Sequence, residues 1–99
     1  RHFKARHDFF NAGLNALPGF RVLPAAGTFS AFCDVSRAIE ARGLADDHEV
    51  AELLLEKAGV AGVPGTGFGA PGHIRFSFAV SMQTLEKALE RMGKALREA

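Results

Sequence analysis

Ninety-nine residues, 47% of them hydrophobic with nine phenylalanines and neither tryptophan nor tyrosine, suit one compact domain with a modest core, a size at which stability is marginal. The net charge is +1, from 12 basic and 11 acidic residues that are intermixed, so electrostatics single out neither nucleic acid nor a membrane surface. No apolar run approaches the roughly 18 residues that span a bilayer, and no signal-peptide pattern opens the chain.

Phe3, Phe10, Leu14 and Leu17 recur at helical spacing and predict a helix from Arg1 to about Ala16, stopped by Pro18-Gly19. No Ser, Thr, Asp or Asn precedes it, and Arg1, His2, Lys4 and Arg6 give its first turn the wrong sign for a helix N-terminus. Two readings stay open: a start inside a longer helix whose earlier turns belong to another domain, or a frayed basic end. Phe20 to Leu23 reads as a short strand, Pro24 to Gly27 as a turn, and Thr28 to Cys33 as a second strand, the pair forming a hairpin. Phe29, Ala31 and Cys33 share one face of that strand, and Thr28, Ser30 and Phe32 the other. The lone Cys33 excludes an intramolecular disulfide and fits a reducing, cytoplasmic setting.

Residues 34–45 read as irregular or partly helical, broken at Gly43, on the surface and without a site. Asp46 and Glu49 make a capping-box-like start to a helix with the stripe Val50, Ala51, Leu54, Leu55 and Ala58, which Gly59 ends in the left-handed region. Val60 to Val63 is a short strand weakened by Gly62. Four glycines and two prolines then fall within residues 63–72, a composition that excludes helix and demands a shaped loop. Strict alternation follows, with Ile74, Phe76 and Phe78 to one side and His73, Arg75 and Ser77 to the other. Ser81 is placed to cap a last amphipathic helix, marked by Met82, Leu85, Ala88, Leu89, Met92 and Leu96 and running to about Arg97. The element order α-β-β-α-β-β-α predicts an α+β fold, a small, mostly antiparallel sheet with helices packed on one face.

Among candidate groups Arg75 stands out. A strand arginine is usually solvated or salt-bridged, but this one lies between Ile74 and Phe76, just after a loop that lets another backbone come close. Its planar fork matches a carboxylate, with two parallel charge-assisted hydrogen bonds. The preceding loop lacks G-x-x-x-x-G-K-[ST] and does not open a helix after a strand, so it is a poor nucleotide cradle. Phe68 either walls a pocket or anchors the loop, and Phe29 reads on its own as a core residue. His2, His7, His48 and His73 show no metal spacing. His73 shares the face of Arg75 and either lines a site with it or is an exposed strand-end residue, the second being the better reading. Cys33 reads as an inert, partly buried thiol, and Asp46, Asp47 and Glu49 as helix capping rather than acid–base chemistry.

Taken as an ordered set, these residues resemble a known family. Arg6-His7-Asp8 leading to Leu14-Asn15-Ala16-Leu17-Pro18-Gly19, then Gly27-Thr28-Phe29 to Phe32 with Asp34-Val35, then Val63-Pro64-Gly65, Phe68-Gly69, Gly72 and Arg75-Phe76-Ser77-Phe78-Ala79, are similar to the C-terminal segment of the class I aminotransferases. Those are pyridoxal-phosphate enzymes of fold type I, and the likeness is to the aspartate aminotransferase type. The resemblance implies that residues 1–99 form the small domain of a larger enzyme, in which Arg75 clamps the substrate α-carboxylate. It puts Phe29 at a substrate-side hydrophobic contact, with Ser30 where the family often has a large aromatic residue. None of the four lysines, Lys4, Lys57, Lys87 and Lys94, lies in a matching family motif. The Schiff-base lysine and the rest of the pyridoxal phosphate site are therefore expected in an absent large domain, and this segment alone is expected to be inactive. The implied partners are that large domain, an amino acid or 2-oxo acid, and a second subunit in a homodimer. The competing readings are a free-standing α+β module that binds amino acids as a regulator through Arg75, and a purely structural interaction domain.

Overall fold

The alternation that sends Ile74 and Phe76 to one side of their strand and Arg75 to the other sets the architecture. A computed structural model describes residues 2–23, 30–77 and 82–98, with side chains over 8–23, 31–76 and 83–97. In chain order the elements are α1 (His2–Asn15), β1 (Arg21–Leu23), β2 (Ser30–Asp34), α2 (Ser36–Ala41), α3 (Asp47–Ala58), β3 (Val63–Pro64), a 3₁₀ turn (Gly65–Phe68), β4 (His73–Ser77) and α4 (Met82–Glu98). The strands form one antiparallel sheet in the order β1-β2-β4-β3. Its centre is the β2–β4 pair, registered Ala31↔Phe76, Phe32↔Arg75, Cys33↔Ile74 and Asp34↔His73.

Ala31, Cys33, Ile74 and Phe76 are buried on one sheet face, in a single cluster with Phe10 and Leu14 of α1, Val50 and Leu54 of α3, and Leu85 and Met92 of α4. Phe76 is its hub, edge-on to Phe10 at 6.4 Å between ring centroids and stacked on Phe20 at 6.2 Å. Full burial of each such side chain is worth about 1.5–3 kcal/mol. The fold is therefore α+β with its helices on one face, as the element order predicts. The opposite face of the β2–β4 pair is left open. No helix among the described residues is long and apolar enough to cross a membrane.

Three local expectations need correction. Residues 34–45 are not mere surface. Val35 and Ala38 are buried, and Arg42 donates to the carbonyls of Ala95 and Leu96 at the end of α4. A helix of six residues is too short to show a 3.6-residue period, so its inward side chains left no pattern to read. Second, β3 is two residues long rather than starting at Val60. The Val60 N–H bonds Leu54 O at 3.2 Å while Gly59, at φ 70°, ends α3, so the helix terminus has already taken that donor. Third, residues 65–68 wind one 3₁₀ turn despite their glycines. Pro64 stands at the N-cap, where no N–H is needed, and Gly69 closes the turn at φ 86°.

The start of α3 follows expectation with one shift. Asp46 accepts from Glu49 N at 3.2 Å, but the returning Glu49 carboxylate accepts from Ala45 N, at 2.7 Å, instead of Asp46 N. Ser81, Phe29 and Phe78 lie outside the described residues.

Candidate functional site

Strand alternation places Phe32 and Asp34 of β2, His73 and Arg75 of β4 and Val63 of β3 on the open face, with Phe32 and Val63 flanking Arg75 in the register. Over them folds the 65–72 loop. The Arg75 Cζ atom sits 5.2 Å from the centroid of the Phe68 ring. Phe68 lies 6.0 Å from Phe32, and Phe32 stacks on His73 at 5.0 Å with 9° between the planes. Arg75 is exposed, and Phe68 and Val63 are each 45% exposed. A guanidinium over an exposed ring gains about 0.5–1 kcal/mol. It keeps its in-plane N–H fork for another partner. Among the described residues no carboxylate pairs with Arg75.

The loop owes its shape to one buried acid. Asp47, at 0% exposure, accepts the Thr66 N–H and the Gly72 N–H, each at 3.0 Å, and the Thr66 hydroxyl lies 2.8 and 2.9 Å from its two oxygens. The loop closes on itself through Ala70 N to Gly65 O at 2.8 Å. Burial pushes the Asp47 carboxyl upward, but the Thr66 hydroxyl, the two N–H groups and nearby His48 outweigh it and hold the group below the usual carboxylate range. Asp34 is also lowered, chiefly by the Ser36 hydroxyl and N–H, with Arg21 and His73 assisting. Burial alone pushes the Cys33 thiol up to about 12, as an inert thiol requires.

The structure thus brings Arg75 and Phe68 together, while Phe29 falls outside the described residues. Two groups differ from the preferred sequence reading. His73 is not an exposed strand end; it is half-buried, with its ring on Phe32 and Nδ1 2.9 Å from Pro71 O. Asp47 is not a cap, since Asp46 fills that role. The alternation that turns Phe32 away from the core was legible, but its place beside Arg75 was not, because that depends on the β2–β4 register. Asp47 gave no signal, because its partners lie 19 and 25 residues away. No group of three or more His, Cys, Asp or Glu side chains suited to a metal occurs among the described residues.

On this open face Arg21 is paired with Asp34, while Arg75 lies beside Phe68 under the Pro-Gly-rich loop. The chain belongs to the aminotransferase class I and II family, which matches residues 1–92. It is 41% identical over 95 residues to the aspartate aminotransferase of Bacillus sp. strain YM-2, covering 96% of this chain and 24% of that protein. It is 43% identical over 96 residues to the probable aspartate/prephenate aminotransferase of Aquifex aeolicus, covering 97% of this chain and 24% of that one. Two solved structures share the fold. The Pyrococcus furiosus alanine aminotransferase has a TM-score of 0.88 at 31% identity, over 99% of this chain and 24% of its own. The Thermus thermophilus aspartate aminotransferase, solved with maleate, has a TM-score of 0.80 at 40% identity, over 95% and 23%. The chain spans about a quarter of the length of the curated relatives it matches.

Proposed function

We propose that these residues are the C-terminal small domain of a pyridoxal-phosphate aminotransferase, which moves an amino group between an amino acid and a 2-oxo acid, and that Arg75 binds the substrate α-carboxylate. The observation that carries this reading is the Arg75 guanidinium on the open sheet face, braced by Phe68 and paired with no carboxylate among the described residues. Two parallel charge-assisted bonds from a planar fork fix both the position and the rotation of a carboxylate, which a point charge does not. That fixes the substrate's reacting carbon relative to whatever lies above the face. Phe68 walls the site, and Phe29 is assigned the substrate side-chain contact through the family resemblance. The solved Thermus relative with maleate, a dicarboxylate, is in keeping with a carboxylate ligand in this family.

Pyridoxal phosphate, the general cofactor of the family, supplies the electron sink for amino-group transfer. Lys57, Lys87 and Lys94 stand exposed on α3 and α4, outside the Arg75 cluster. We assign the cofactor lysine and phosphate contacts to a large domain in the complete enzyme. The setting is cytoplasmic in this reading, and the whole enzyme a homodimer.

The test is Arg75→Lys in the complete protein. Charge-assisted hydrogen bonds contribute about 1.5–3 kcal/mol each, so kcat/KM should fall by about a hundredfold or more with every amino acid accepted. Cofactor absorbance and thermal stability should stay near wild type. Near-normal turnover, or a defect confined to one substrate, contradicts the assignment.

A further inference from the structure

We infer that Asp47 is a positioning residue for the carboxylate site, holding the 65–72 loop so that Phe68 bears on the Arg75 guanidinium. This rests on the reading of Arg75 as the carboxylate clamp. Three observations carry it. Asp47 is the first residue of α3, yet Asp46 already caps that helix, so the buried Asp47 carboxylate is available to the loop alone. It grips the loop at Thr66 and at Gly72, on either side of Phe68. Between those anchors the backbone bonds of Gly69 and Ala70 run only to Thr66 O and Gly65 O, within the loop itself. The ring that touches Arg75 and Phe32 is therefore located by what holds residues 66 and 72. On the far side, Gly72 O accepts Val35 N at 2.8 Å, which ties the same anchor to the end of β2.

Arg75 has a long, rotamer-rich side chain on the open face of a central strand. Without the Phe68 ring against it, the fork samples orientations that do not match a carboxylate, and binding must supply that ordering. Loss of the Asp47 anchor should therefore weaken substrate capture more than the later chemistry.

The experiment uses the complete, cofactor-loaded protein and steady-state kinetics with its best amino acid. Asp47→Asn should raise KM about tenfold while kcat falls less. Thr66→Val, which deletes the hydroxyl donor, should move KM the same way, and Thr66→Ser, which keeps it, should restore the wild-type value. In an Arg75→Lys background Asp47→Asn should add almost nothing, because both act through one contact. Should Asp47→Asn fail to fold, the Thr66→Val and Thr66→Ser pair decides. Wild-type KM in Asp47→Asn or Thr66→Val, with only a lower melting temperature, overturns the positioning role. So do losses that add fully in the double variant. A near-normal Arg75→Lys enzyme is a different result, and it sinks the clamp reading itself.

Discussion

Gly65 has no room for a side chain. A Cβ there would lie 2.0 Å from the carbonyl oxygen of Ala70 and 2.9 Å from that of His73, both backbone atoms that cannot step aside. Gly67, two residues on, faces open space and needs no positive φ. Gly65→Ala should therefore cost about 1–3 kcal/mol through overpacking, whereas Gly67→Ala should be close to neutral, a contrast that thermal melting of the complete protein can read. Cys33 gives a second prediction. Its thiol is fully buried and its pKa is pushed up to about 12, so a thiol reagent at pH 8 should modify it only after urea unfolding; rapid labelling of the native protein would be inconsistent with this core. At this scale the sequence exposed Arg75 through simple alternation. Asp47 stayed hidden among capping acids, since a tertiary hydrogen bond leaves no periodic trace.

Helix α3 shows how far element reading goes. Its cap at Asp46, its apolar stripe and its left-handed stop at Gly59 were legible because each is a local interaction with its own chemical signature. Asp46→Ala should cost about 1 kcal/mol. The short elements α2 and β3 were blurred, since six and two residues are too few to establish a period. The join from α3 to the loop also makes an acid-sensitive point. The Asp47 carboxyl is held below its usual range, and a group whose folded pKa is depressed adds stability that is complete above its unfolded pKa, near 4. That stability drains away as pH falls through the lower, folded value. Urea unfolding followed from pH 7 downward should be flat with respect to Asp47 until about pH 5 and should weaken below about pH 4. Asp47→Asn should be less stable at neutral pH and show a shallower acid decline. An unchanged acid slope would mean that the carboxylate's bonds to Thr66 and Gly72 do not persist in solution.

For the molecule as a whole, the uneven distribution of its layers is what matters. Helices cover one face of the sheet, while the face bearing Arg75 keeps Phe68 and Val63 each nearly half exposed. Under the proposed function, that face is the one a large domain would cover, enclosing substrate against Arg75. The fold class was legible from element order, and the family from an ordered set of short motifs, none of which is specific alone. The stacking of His73 on Phe32 was not, because it depends on the β2–β4 register, which strand patterns of this length do not fix. The most direct measurement is a crystal structure of the complete protein with a bound 2-oxo acid. The account predicts two guanidinium nitrogens of Arg75, each about 2.7–2.9 Å from a different oxygen of the α-carboxylate, with the Phe68 ring still against the guanidinium. A substrate carboxylate held by other groups, with Arg75 turned to solvent or paired to a protein acid, would contradict it.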